Sequence, residues 1–193
     1  MKTEVDFWEN AYKTNSTGWD LGEVSPPLKK IINHLEDQEL KILIPGAGNA
    51  YEAEYLFKKG FKNTHVVDVS KLALNNLKHR CPEFPHEQIL NLDFFKLDME
   101  FDLILEQTFF CAIHPSFRKD YAKQMANLLS KGKQLLGVLF NFQLSEKGPP
   151  YGGSKDEYLA YFQPYFNIDE LKECKTSHPS RAGKELILKL TRL

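Results

Sequence analysis

The chain has 193 residues, and its chemistry-bearing positions recur where apolar runs end. Ile42-Leu43-Ile44 runs into Pro45-Gly46-Ala47-Gly48, and His65-Val66-Val67 ends on Asp68. Gln88 to Leu92 ends at Asp93, and Phe101 to Leu105 ends at Glu106. Glycines let a ligand approach the backbone, and an acid at the end of the second run suits the two hydroxyls of a ribose. Ligands of open α/β sheets sit at these carboxyl ends. Each acid also has a plainer role open to it, as a helix cap or a solvated loop residue.

What the glycine loop lacks narrows the ligand. A dinucleotide fingerprint reads G-x-G-x-x-G, with the third glycine under the pyrophosphate, and here that position is Tyr51. No Lys-Ser or Lys-Thr follows, so the loop is not a P-loop. A cofactor with ribose and base but no phosphate fits best, and S-adenosylmethionine (SAM) is the common one. G-x-G with an acid about 20 residues on also occurs in NAD-binding folds, and a βα turn can use glycines for geometry alone.

These positions need a frame. Residues 1–24 precede the sheet and are aromatic and polar. Ser25-Pro26-Pro27 starts a helix, with Ser25 as cap and an apolar stripe of Leu28, Ile31, Ile32 and Leu35. A βαβ unit covers 41–70, with its helix closed by Gly60. Ser70 caps the next helix, to about Arg80. Third and fourth strands lead to Asp93 and Glu106. Ser116 is expected to cap a helix with Phe117, Tyr121, Met125, Leu128 and Leu129 inward, stopping near Gly132. Gln134–Phe142 reads as a fifth strand, and Ser154 with Glu157 as a capping box. Stretches around 166–174 and 185–190 close as a pair of strands. The expected fold is α/β and doubly wound: a mostly parallel sheet of about seven strands, helices on both faces, and one domain over 1–193 with 1–24 as an N-terminal lid.

Composition bounds the rest. Hydrophobic residues make up 42%, enough for a core, and the net charge of −1 gives no strong pull toward nucleic acid or membrane. Cys81, Cys111 and Cys174 are widely spaced and odd in number, so neither a disulfide framework nor a metal site is expected. MKTEVDFWEN holds no apolar signal core, and no run approaches the roughly 18 residues of a membrane helix. The expectation is a cytoplasmic protein, monomeric or weakly self-associating, that acts on a small molecule.

The sequence resembles the thiopurine S-methyltransferase family of SAM-dependent methyltransferases, in particular its thiol/halide methyltransferase branch. The stretches that carry this are Phe7-Trp8, Thr17-Gly18-Trp19-Asp20-Leu21-Gly22, Pro45-Gly46-Ala47-Gly48 and Val66-Val67-Asp68-Val69-Ser70. They continue with Thr108-Phe109-Phe110-Cys111-Ala112-Ile113-His114-Pro115, Arg118, Tyr121-Ala122 and Gly148-Pro149-Pro150-Tyr151. The resemblance implies a Rossmann-like class I methyltransferase fold. It implies that Trp8, Tyr12 and Trp19 fold over the cofactor, where aromatic faces attract the sulfonium cation. By the same resemblance Gly46 and Gly48 line the methionine part, Asp68 with Val69 takes the ribose, and Asp93 and Phe94 flank adenine. Glu106 and Arg118 then lie near cofactor and substrate, with Arg118 the one candidate for catalysis. Two departures stand out. Ala47 replaces a frequent cysteine, and Glu106-Gln107 replaces a frequent Asp-Tyr, which bears on halide and thiocyanate transfer.

The reaction implied is in-line displacement on the SAM methyl, leaving S-adenosylhomocysteine, with alignment and dehydration of the nucleophile as the protein's contribution. Trp19, Phe109, Phe110, Phe140 and Tyr151 are candidates for a substrate wall that favours a soft, apolar acceptor such as a thiol. Either Phe109 or Phe110 could equally be core, and His114 suits a core or surface role better than catalysis. A SAM-binding protein without turnover is the alternative from another class, alongside transfer to a halide or to a macromolecule.

Overall fold

A computed structural model describes residues 2–193, with side chains from Val5 onward. Met1 and the side chains of residues 2–4, part of the expected lid, lie outside the described residues. Two helices, α1 (Lys2–Lys13) and α2 (Pro26–Asn33), precede the sheet. Then come β1 (Ile42–Pro45), α3 (Tyr51–Lys58), β2 (Thr64–Asp68), α4 (Lys71–Arg80), β3 (Ile89–Asn91) and β4 (Phe101–Gln107). The chain continues through α5 (Arg118–Asn127), β5 (Leu129–Phe140), α6 (Lys155–Phe162), β6 (Phe166–Glu173) and β7 (Glu185–Arg192).

The seven strands lie in the order β3-β2-β1-β4-β5-β7-β6. β1 to β5 pair in parallel, and β7 runs antiparallel to both β5 and β6. The order reverses at β1, so a crevice opens beside its carboxyl end. All four residues of β1 are buried, as befits a strand covered on both faces. One face packs Leu28, Ile32, Leu56, Leu74 and Leu77 of α2, α3 and α4. The other packs Tyr121, Met125 and Phe162 of α5 and α6. β4 feeds both cores: Leu103 and Leu105 face the first, Ile104 the second. Phe101 joins Ile104 despite odd spacing, because the register shifts between Phe101 and Leu103.

Local expectations hold in part. Ser70 caps α4, accepting from Ala73 N at 3.1 Å. Ser25 stands at the start of α2 but does not cap it; its Oγ donates to Gln107 Oε1 at 2.6 Å. The helix expected from Ser116 begins at Arg118, after a 3-10 turn at Pro115–Phe117. His114 caps that turn, its Nδ1 accepting from Ser116 N, and Phe117 is exposed rather than inward. α5 ends at Asn127 and β5 begins at Leu129, five residues before the expected Gln134. Leu128 and Leu129 extend the helical spacing of Met125, but Leu129 pairs with Phe101 and the strand takes it. Half of the box at α6 forms: Ser154 Oγ accepts from Glu157 N, while the Glu157 carboxylate goes to Arg118. Among the described residues no helix is long and apolar enough to cross a membrane.

Candidate active site

A cavity of about 820 Å³ lies at the carboxyl ends of β1, β2, β4 and β5. Its floor on one side is the loop after β1. Gly46 (φ +56°) and Gly48 (φ +54°) both take the left-handed conformation that side chains disfavour. A Cβ on Gly46 would collide with the Phe109 ring, and one on Gly48 would stand 2.6 Å from the Tyr12 hydroxyl. The loop is bare because aromatic groups close on it from two directions.

Asp68 is fixed from both oxygens. Oδ2 accepts from Gly48 N and Oδ1 from Ser70 N, each at 2.8 Å. Burial pushes its carboxyl pKa up, and the Ser70 and Gly48 N–H groups pull it back. A carboxylate has about four lone-pair sites, so each oxygen can accept once more from a ligand. Asn91 Nδ2 steadies the backbone here, donating to Asp68 O and Val69 O at 3.0 Å. Val69, Asp93 and Phe94 line the same side. The Asp93 carboxylate also caps the next turn, accepting from Phe95 N at 3.0 Å, which is the plainer role open to it.

α1 and the segment after it form the roof. Trp8 and Trp19 meet edge-on with centroids 5.2 Å apart, and Tyr12 meets Trp19 at 5.9 Å. All three line the cavity. Burial pushes the Tyr12 phenol pKa up and keeps it protonated.

On the β4–β5 side the residues separate. Phe109 and Phe140 line the cavity; Phe110 does not, being 1% exposed and packed against Tyr121 and Tyr158 in the core. Glu106 is fully buried and turned away from the main cavity. Its carboxylate accepts from Phe109 N (2.8 Å), Phe110 N (2.9 Å) and the Tyr121 hydroxyl. It therefore staples the turn that presents Phe109. Burial lifts its pKa to about 7, against the lowering by those three donors.

Arg118, expected beside cofactor and substrate, also lies outside the cavity lining. It is fully buried: Nη1 pairs with Glu157 Oε1 at 2.8 Å, Nη2 donates to Gly152 O at 2.7 Å, and the guanidinium covers the Phe110 ring at 4.6 Å. It anchors the loop that carries Pro149 and Pro150 into the cavity wall. Tyr151 of that loop points elsewhere, against His114 at 5.5 Å, so the two prolines stand where the tyrosine was expected.

Sequence reasoning missed two residues in particular. Arg181, 8% exposed, reaches the cavity from the β6–β7 connection. Its Nη2 donates to Trp19 O at 2.6 Å, and its guanidinium lies 5.6 Å from the Phe140 ring. Nη1 stands 3.5 Å from Glu185 Oε1 without a hydrogen bond to it. The signal was a second His-Pro-Ser turn, His178-Pro179-Ser180, built like His114-Pro115-Ser116 and likewise followed by a buried arginine. Asp20 is the other. It accepts from Asn49 Nδ2, Tyr51 OH and Gly22 N, and so sets a carboxylate at the start of α3. A pyrophosphate seeks that same helix terminus, and Asp20 repels it.

Comparison with known proteins shows the family and the fold. The family model for thiopurine S-methyltransferase matches residues 3–191. Probable thiol methyltransferase 2 of Arabidopsis thaliana is 32% identical over 158 residues, 78% of this chain and 69% of that protein. Thiocyanate methyltransferase 1 of Brassica oleracea is 27% identical, covering 94% of this chain and 83% of its own. A thiopurine S-methyltransferase of Vibrio parahaemolyticus is 25% identical over 95% of this chain and 93% of its own. Among solved structures, a Burkholderia thailandensis 1,6-didemethyltoxoflavin-N1-methyltransferase with bound S-adenosylhomocysteine shares the fold: its TM-score is 0.76 at 16% identity, over 98% of this chain and 87% of that one. The chain belongs to the thiopurine S-methyltransferase family and is a SAM-dependent methyltransferase.

Proposed function

We propose that the chain methylates the sulfur of a small organic thiol. One observation carries this reading: on the β4–β5 side the cavity is lined by the apolar Phe109, Ile113, Phe117, Phe140, Pro149 and Pro150, and the carboxylates of the lining, Asp20, Glu23, Glu52, Asp68 and Asp93, come from other elements. A thiol has an ordinary pKa near 8.5, so roughly a few per cent is already thiolate at pH 7 and no strong base is needed. An oxygen or nitrogen acceptor would ask for more help. The Arg181 guanidinium at this side favours the thiolate form. Cys111 also lines the cavity, but burial pushes its pKa up and keeps it protonated, so it does not compete as a nucleophile.

The β1–β2 side suits the cofactor. Asp68 has lone pairs left for ribose hydroxyls, and Val69 and Phe94 offer apolar faces for a base. Trp8, Tyr12 and Trp19 offer aromatic faces to a sulfonium, each worth roughly 0.5–2 kcal/mol. When bound, SAM supplies an electrophilic methyl group on positive sulfur. The chain's own part is to desolvate the acceptor sulfur between apolar walls, hold it in line and keep water out. The acceptor's thiol proton is lost to bulk solvent before the sulfur is enclosed; in the transfer the thiolate sulfur forms a bond to the methyl carbon, and the bond to the cofactor sulfur breaks with its electron pair going to that sulfur. The roof from α1 to Trp19 acts as the lid over this reaction.

The apolar wall favours an acceptor with an organic body over a halide or thiocyanate, since the cavity of about 820 Å³ has to hold SAM and the acceptor together. An acceptor of one to three atoms leaves the proline and phenylalanine wall untouched. The test is methyl transfer from labelled SAM to a panel of alkyl and aryl thiols, sulfide, thiocyanate and iodide. Organic thiols should give the highest kcat/KM. Preference for thiocyanate or iodide, or no transfer to any thiol, would overturn the proposal.

A further inference from the structure

The roof is fastened to the floor by a charged contact that none of the cofactor or acceptor roles above uses. Along α1 the residues that turn inward are Trp8, Glu9, Ala11 and Tyr12, while Val5, Asp6, Phe7, Asn10 and Lys13 are exposed. This is the i, i+1, i+3, i+4 pattern of one helix face. A glutamate in the middle of that face needs a partner. Its Oε2 accepts from Ser70 Oγ at 2.7 Å and from Leu72 N at 3.3 Å. Glu9 thus supplies, from another element, an acceptor for a free N–H in the first turn of α4, where negative charge is favoured.

Ser70 is where roof and ribose acid meet. It is fully buried. Its hydroxyl donates to Glu9 and accepts from Ala73 N, while its own N–H donates to Asp68 Oδ1 at 2.8 Å. The other Asp68 oxygen holds Gly48 N, and Gly48 is the residue whose missing side chain admits the Tyr12 hydroxyl. The chain Glu9, Ser70, Asp68, Gly48 and Tyr12 therefore leaves α1, passes under the cavity and returns to α1 one turn later.

We propose that Glu9 is a positioning residue for the cofactor site: by holding α1 on the start of α4 it sets Trp8 and Tyr12 over the SAM that Asp68 holds. It acts on cofactor affinity and not on the acceptor. The proposal rests on the cavity's β1–β2 side taking SAM.

The test compares the full-length protein with Glu9→Ala and Glu9→Gln. Glutamine keeps an acceptor oxygen for Ser70 and Leu72, and alanine keeps none. Binding of SAM, without acceptor, is read by calorimetry and by tryptophan emission, since both tryptophans of the chain, Trp8 and Trp19, sit in the roof. A half-exposed contact to a charged group is worth the lower part of its usual range, so Glu9→Ala should weaken binding and raise KM for SAM roughly tenfold. The kcat at saturating SAM and the acceptor KM should stay at wild-type values, and Glu9→Gln should recover most of the lost affinity. Wild-type affinity in Glu9→Ala would overturn the proposal, and so would a Glu9→Gln protein as weak as the alanine variant. A wild-type protein that binds no SAM would instead sink the assignment of SAM to this side of the cavity.

Discussion

The β1–β2 and β4–β5 sides of the cavity are built in different ways. On the first, the groups that face a ligand are backbone-held. Gly46, Gly48 and Asp68 lie within one βαβ unit, and two main-chain N–H groups fix the carboxylate. On the second, the facing groups are side chains presented by buried charges that never enter the cavity. Glu106 staples the turn under Phe109, and Arg118 anchors the loop of Pro149 and Pro150. Arg181 arrives from 162 residues beyond Trp19, whose carbonyl it holds. On the proposed reading, the cofactor is met by local, backbone chemistry and the acceptor by parts that can change without disturbing that loop.

The strongest way to break this contrast is to remove an anchor. Arg118→Met leaves Glu157 and the Gly152 carbonyl without their cation, and losing one partner of a buried pair costs about 3–5 kcal/mol. Glu157 is partly exposed and can rehydrate, so the lower end is expected. Chemical denaturation should show this loss, while S-adenosylhomocysteine affinity in the folded fraction stays near wild type. A stable variant with poor cofactor binding would put Arg118 back in the site.

Glu106 sharpens the contrast through pH. Its folded pKa of about 7 is raised from the ordinary 4.5, so the native state holds the proton more tightly than the unfolded chain. Its favourable contribution is complete below about pH 4.5 and is lost as pH rises through 7, an effect of up to about 3 kcal/mol. Glu106→Gln should flatten the fall of stability between pH 5 and 8 relative to wild type. Asp68 and Glu52 are also raised by burial and push the same way in both proteins, so the difference isolates Glu106. Parallel curves would contradict the buried-staple role.

Gly48→Ala probes the cofactor side. The left-handed backbone costs about 1–2 kcal/mol for a residue with a Cβ, and that Cβ meets the Tyr12 hydroxyl. That strain is present with and without ligand, so denaturation should show a loss of about 1–2 kcal/mol, while displacement of Tyr12 should weaken SAM binding with thiol KM unchanged; wild-type SAM affinity would take Gly48 out of the site.

The same contrast explains what the sequence made legible. The loop after β1 and Asp68 are 20 residues apart in one unit, so periodicity and a turn of glycines suffice to find them. The central strands β1, β2 and β4 were legible for the same reason, each being a short, largely buried run. Phe109 and Phe110 are adjacent and only one can face the cavity; Phe110 is drawn into the core by Tyr158 and Phe162 of α6, which are distant in sequence. Arg118 and Arg181 follow matching His-Pro-Ser turns. Which one reaches the cavity depends on where β6 and β7 join the sheet, and nothing local records that. The start of β5 was hidden because Leu128 and Leu129 continue a helical spacing until pairing with β4 decides otherwise.

The most direct test of a two-part cavity is steady-state kinetics of Asp68→Ala and Arg181→Met, side by side with one thiol. If Asp68 takes the ribose hydroxyls as proposed, Asp68→Ala should raise KM for SAM at least roughly tenfold, with little change in thiol KM. Arg181→Met should do the reverse, raising thiol KM by a similar factor and sparing SAM. If both substitutions shift the same parameter, the cavity is not divided as described.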